Sequence, residues 1–201
     1  MGELFVKGGI LMWPLLACSV AAVAVIIERA IRVRPKKVMP QDFLTEVEDL
    51  VQRRKLPEAL VLCKTNSSSL SRILLKGIEN FGKDRDIIKE KIEEVGRREA
   101  QQLEKGCGIL GTVASISPLL GLLGTVFGMI KVFHVISEKG VGNASYLSGG
   151  ISEALITTAA GLLIAIPVLV AYKYFLSRVE NLVSQMEEHS VKILDKLGDR
   201  S

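Results

Sequence analysis

Four side chains with oxygen to offer stand in apolar surroundings. Thr125 lies in the stretch GLLGTVFGM, and Glu153, Thr157 and Thr158 lie in GGISEALITT. No charge occurs from Ala154 to Tyr172, so Glu153 borders an apolar run of 19 residues. An ionisable group beside hydrocarbon is costly unless it faces water, a partner or a pore. A hydroxyl there can bond back to its own helix, so one threonine says little. Two threonines on two apolar segments say more, because an ion stripped of water needs oxygen ligands or a proton relay. Ion passage is the chemistry these residues suggest.

The spacing places them on helix faces. Thr125 shares a face with Pro118, Gly121 and Gly128, at steps of three and four. Thr158 shares one with Gly150, Ala154, Gly161 and Ala165, while Glu153 and Thr157 fall on a neighbouring face. Small residues let helices approach closely in a membrane, so packing accounts for the glycines as well as a pore does. Thr157, Pro118, Gly121, Gly128, Gly150, Ala154 and Gly161 are the further candidates for lining a pore. Pro118 and Pro167 each free a carbonyl and permit a kink, which suits a bent pore helix or plain tolerance. Glu153 itself has a bland reading too, a carboxylate reaching the water interface.

These faces need a bilayer around them. The chain has 201 residues, 48% hydrophobic and 24% charged, and the two kinds are segregated. Gly8 to Ile27 and Gly106 to Ile130 are also free of charge, over 20 and 25 residues. A membrane-crossing helix needs about 20 apolar residues, so three spans are expected. Arg29, Arg32, Arg34, Lys36 and Lys37 follow the first, which puts that end in the cytoplasm. Alternation then gives an outer N-terminal segment 1–8, a first span 9–30 and an inner helical region 31–105. A second span 106–136, an outer loop 137–147, a third span 148–176 and an inner C-terminal helix 177–201 follow. The fold class is all-α, with three transmembrane helices, two of them extended into the cytoplasm, and a small helical cytoplasmic region. The net charge of +4 is not gathered into a patch for nucleic acid. PLLAC resembles a lipoprotein cleavage box at Cys18, but the apolar run continues and the basic block lies on the wrong side for a signal peptide. NAS at 143–145 is too short a match to carry weight.

The inner region reads as helices. RPKKVMP is a linker whose two prolines forbid a continuous helix. Phe43, Leu44, Val47, Leu50 and Val51 mark a helix with Asp42 as N-cap. LPEALVLCK follows with Pro57 in its first turn, then a helix capped by one of Ser67–Ser69 and stopped near Gly82. Asp84 caps the next. Apart from Gly96 and Gly106 nothing ends it, so one long helix is expected to run into the second span. The third span is expected to continue to Leu197, with Gly198 as its stop. Cys18, Cys63 and Cys107 lack metal-ligand spacing and read as free buried thiols. His134 and His189 are isolated and read as surface or interface residues. No catalytic cluster, metal site or cofactor motif stands out, so an enzyme is not expected.

SPLLGLLGTVFGM followed by GISEALITTAAGLLIAIPVLVAY resembles the paired pore helices of the ExbB/TolQ family, relatives of the stator subunit MotA, and is most like ExbB. The shared pattern is G-L-x-G-T-V-x-G with G-I-x-E-A-L-x-x-T-A-x-G-L-x-x-A-I-P, between residues 118 and 172. The resemblance implies a homo-pentameric ring in a bacterial inner membrane, with a periplasmic N-terminus and a cytoplasmic C-terminus. Two single-span ExbD/TolR-like subunits would thread its pore, with a TonB/TolA-like protein beyond. It implies that proton flow depends on a partner aspartate facing Thr125 and Thr158, with Glu153 as the motif's glutamate. Thr157 is an extra hydroxyl where the family often has alanine. The implied function is a motor driven by the proton-motive force that works on the envelope, as in TonB-dependent transport. The alternatives are a TolQ-type motor for envelope maintenance and a non-conducting scaffold, which would not need Thr125, Thr158 or Glu153. Sodium coupling stays open, and a flagellar stator fits less well because such subunits usually have four spans.

Overall fold

The computed structural model describes residues 8–140 and 144–198. Eight helices are found among them and no strand: α1 Met12–Arg32, α2 Pro35–Val38, α3 Gln41–Gln52, α4 Leu56–Thr65, α5 Ser69–Glu79, α6 Arg85–Glu104, α7 Cys107–Lys139 and α8 Ala144–Gly198. Three of them, α1, α7 and α8, are long and apolar enough to cross a membrane. The chain divides into two compact units, residues 1–28 with 106–174, and residues 29–105 with 175–201. α8 contributes to both, running without a break to Gly198 as its uninterrupted helical pattern leads one to expect.

The unit built on residues 29–105 has a conventional apolar core. Phe43, Leu44, Val47 and Val51 of α3 are buried with Leu70, Ile73, Leu74 and Ile78 of α5, Ile92 of α6, and Val179, Leu182 and Met186 of α8. Leu50 packs against this core from its edge. The local signals are ordinary. Ser68 caps α5, its hydroxyl accepting from the Ser71 amide at 3.2 Å. Pro57 sits in the first turn of α4. α3 ends with Arg54 at φ 56°, where the Lys55 amide returns to the Leu50 carbonyl at 2.9 Å. One charge pair is well sheltered here. Arg72 Nε and Nη2 donate to the two oxygens of Glu99 at 2.6 and 2.5 Å, and the Glu99 side chain is only 4% exposed.

Several expectations are corrected. The long helix into the second span is broken: α6 ends at Glu104 and α7 begins at Cys107. Gly106 has φ 99°, a left-handed conformation that a side chain resists, so the glycine is a real stop. Of the two helices expected to extend beyond their spans, only the third-span helix does so without interruption. Asp42 is not the N-cap of α3. Pro40 is, and Asp42 lies in the first turn, where it faces the positive end of the helix dipole. Asp84 does precede α6, but its side chain makes no capping bond. RPKKVMP holds a one-turn helix, α2, with Pro35 at its start. Helix also covers both ends of the expected loop 137–147, since α7 reaches Lys139 and α8 starts at Ala144. Residues 141–143, with the asparagine of NAS, residues 1–7 and residues 199–201 lie outside the described part. Cys63 and Cys107 are buried and in no disulfide, whereas Cys18 is half-buried.

Candidate functional site

α7 and α8 form an antiparallel seam, and glycines set its closeness. A Cβ on Gly161 would fall 2.5 Å from the Ser117 carbonyl oxygen; on Gly121, 3.0 Å from Thr158 Cα; on Gly124, 2.5 Å from Thr157 Cβ. On Gly128 it would meet Ala154 Cβ at 2.8 Å, and on Gly150 it would meet Val132 Cγ2 at 2.6 Å. Partner numbers on α8 fall as those on α7 rise, which is the register of two antiparallel helices in contact along one face. At Gly161, Gly121 and Gly128 a side chain is resisted most, because much of what a Cβ would meet there is backbone. The predicted small faces, Gly121 and Gly128 against Gly150, Ala154 and Gly161, therefore meet each other within one chain. Ala165 is buried as well. Gly124 belongs to the seam and the periodicity argument passed over it. The helix assignments of α7 and α8 run through Pro118 and Pro167 uninterrupted, with Pro118 half-buried and Pro167 exposed.

The threonines occupy three different environments. Thr158 is half-buried and its hydroxyl donates across the seam toward the Gly121 carbonyl at 3.0 Å, with the Ala154 carbonyl at 3.2 Å. Thr125 is half-buried one residue beyond Gly124, and its hydroxyl donates to Leu122 of its own helix at 2.6 Å. Thr157 is fully buried. Its hydroxyl donates to the Glu153 carbonyl at 2.6 Å and lies 3.0 Å from the Gly8 carbonyl. A hydroxyl that donates keeps lone pairs to accept with, so these bonds do not remove the oxygens from ion chemistry.

Glu153 has a partner that the sequence argument missed. Lys131 Nζ donates to Oε1 at 2.6 Å and to Oε2 at 2.8 Å. The carboxylate side chain is 18% exposed and the lysine 58%. The signal was present: Lys131 is the first charge after the second apolar run, and Glu153 the last before the third. Two antiparallel helices place those boundaries at one level. Glu153 is thus one half of an ion pair between two apolar helices. Beside it lies a cavity of about 190 Å³ lined by Gly8, Leu11, Gly124, Lys131, Glu153 and Thr157.

Toward the other end of the same helices is a cleft of about 570 Å³ lined by Gly111, Thr112, Ser115, Tyr172 and Lys173, among others. The Thr112 and Ser115 hydroxyls bond back to the Gly108 and Gly111 carbonyls, both at 2.9 Å, and the Tyr172 ring covers Gly111. Outside the seam, α7 and α8 expose Leu119, Leu122, Val126, Phe133, Leu155, Leu163 and Val170. Such faces are stable only against lipid or apolar partners. His134 is exposed near Glu138, and His189 is half-buried. No group of acidic, His and Cys side chains among the described residues is arranged to hold a metal ion.

Comparison with known proteins gives the family of the chain. The model of the MotA/TolQ/ExbB proton channel family matches residues 65–188. A putative biopolymer transport protein, ExbB-like 1, of Synechocystis is 32% identical over 86% of this chain and 69% of its own length. A second Synechocystis protein, ExbB-like 3, is 35% identical over 85% of this chain and 82% of its own. The Tol-Pal system protein TolQ of Pseudomonas aeruginosa is 30% identical over 88% and 81%. With three helices long and apolar enough to cross a membrane and the family model matched over residues 65–188, the chain belongs to the MotA/TolQ/ExbB proton channel family.

Proposed function

We propose that this chain is the inner-membrane ring subunit of a motor driven by the proton-motive force. Five copies surround two single-span partners of the ExbD/TolR kind, and a TonB/TolA-like protein carries the work to the outer membrane. The N-terminus faces the periplasm and the C-terminus the cytoplasm. The observation that carries the reading is the placing of Thr125 and Thr158 within about one helical turn of each other along the seam of two apolar helices. Each hydroxyl bonds to a carbonyl and keeps acceptor capacity toward a protonated carboxyl of a partner. Glu153, joined to Lys131, sets the electrostatics at one end of that seam. Gly121, Gly128, Gly150, Ala154 and Gly161 serve close packing in this arrangement, and Pro118 lies at its edge. Relatives named ExbB and TolQ match about equally well, so TonB-dependent transport and envelope maintenance are both served by this reading.

A non-conducting scaffold is the second reading, favoured by one fact: the glycine seam is complete without any ion. Thr158→Val separates the two. With the single-span partner co-expressed, the intact complex should keep its mass while energised transport is abolished. Full activity in that variant removes Thr158 from the ion path and leaves the scaffold.

A further inference from the structure

Lys131 and the glycine pair at 8 and 9 offer no oxygen to the ion path, yet they converge on the carboxylate at its end. Lys131 holds both Glu153 oxygens, at 2.6 and 2.8 Å. The same carboxylate lies against Gly9, so closely that a Cβ there would collide with Oε1. Gly9 also has φ 70°, which favours glycine for a second, independent reason. The Gly8 carbonyl lies 3.0 Å from the Thr157 hydroxyl, and Thr157 is itself seated on Gly124. A Cβ on Gly8 would fall 2.6 Å from Met12 Cγ, so the Met12 side chain would have to move. The turn before α1, one cation of α7 and two side chains of α8 thus meet at one place.

We propose that Lys131 is a positioning residue which, through Glu153, latches the Gly8–Gly9 turn onto α7 and α8 and so fixes all three membrane helices at the end of the seam. Without the lysine, the carboxylate loses its counter-charge beside an apolar segment and turns toward water. The surface that receives Gly9 then disappears. As a statement about how the ion path is held, the proposal rests on the function given above; as a statement about the turn, it does not.

The chain's single tryptophan, Trp13, lies in the first turn of α1 and reports on the latch. The full-length protein is placed in lipid nanodiscs, and Trp13 emission and acrylamide quenching are measured. Lys131→Met and Gly9→Ala should each shift emission to longer wavelength and raise quenching. Lys131→Arg, which can still donate to both oxygens, and the charge swap Lys131→Glu with Glu153→Lys should keep the native signal. A native signal in Lys131→Met overturns the latch. A swap as loose as Lys131→Met shows that the opposite charges of the pair do not by themselves seat the turn and overturns the latch as an ion-pair device. If Lys131→Met does not assemble, Lys131→Gln and Gly9→Ala carry the same comparison. Thr158→Val should leave Trp13 unchanged, so a failure of the ion path and a failure of the latch read out separately.

Discussion

Gly161→Ala tests the seam most directly. The added Cβ would stand 2.5 Å from the Ser117 carbonyl oxygen, 3.1 Å from Gly121 Cα and 3.3 Å from the Gly121 nitrogen. All three are backbone atoms, so no side chain can swing aside and the helices must part locally. Overpacking of this kind costs about 1–3 kcal/mol. Parting also stretches the Thr158 bond to the Gly121 carbonyl, 3.0 Å long in the native seam, and that adds roughly 0.6 kcal/mol. Replacing a helical glycine by alanine returns about 1 kcal/mol. The net expectation is a loss of about 0.6–2.6 kcal/mol. Gly149→Ala is the control, because a Cβ there has nothing within 4 Å and only the propensity gain remains. The assay is reversible unfolding in mixed micelles titrated with SDS, followed by helical circular dichroism. Gly161→Ala should move the midpoint down and Gly149→Ala should hold or raise it. Equal shifts in the two variants would refute the seam.

Two further outcomes follow from the other unit. Arg72→Met should destabilise it by about 3–5 kcal/mol in thermal or urea unfolding, because Glu99 would be left buried without its bidentate partner, and Arg72→Met with Glu99→Met should recover much of the loss. Burial pushes the Cys63 thiol up from 9.0 to about 11, so alkylation at pH 8 should be slow in the folded protein and fast after denaturation, read by mass spectrometry. The sign for stability is set by the same shift. Above about pH 9 the unfolded chain gives up this proton while the folded chain keeps it until about 11, so raising pH through that window lowers stability.

Much of the fold is legible because the relevant physics is local. Twenty or so apolar residues in a row have one stable arrangement in a bilayer, and α1, α7 and α8 follow from that alone. The helical spacing of Phe43, Val47 and Val51 likewise fixed a buried face. What escaped was nonlocal. Lys131 and Glu153 are 22 residues apart, and only the antiparallel register brings them together. Gly124 was missed because a single-face template holds Gly121 and Gly128, whereas the seam is wide enough to include their neighbour. The break at Gly106 turned on a left-handed φ that a glycine permits without requiring. Pro40 displaced Asp42 as N-cap because its extended backbone starts α3 two residues earlier than the carboxylate.

The glycine seam and the proposed ion path call on the same residue, and the chemistry of Thr158 lets one side chain serve both. Its hydroxyl has one proton, spent toward Gly121, and lone pairs that remain. A partner carboxylic acid can donate to that oxygen without breaking the seam. Thr158→Val keeps the shape and removes the oxygen. The two carbonyls it had reached, Gly121 and Ala154, lie inside helices and retain their backbone donors, so no buried group is orphaned. The structural cost is then about 0.6 kcal/mol, too little to dissolve a complex. That asymmetry gives the substitution its power. A scaffold would lose almost nothing, whereas a conductor would lose an oxygen ligand at a point where water is excluded. Thr125→Val makes the companion measurement, since its hydroxyl is spent on Leu122 of its own helix and bridges nothing. Loss of transport in both variants, with the complex intact in both, would place the two oxygens on one path. Loss in Thr158→Val alone, with the complex intact, would keep Thr158 on the path and take Thr125 off it.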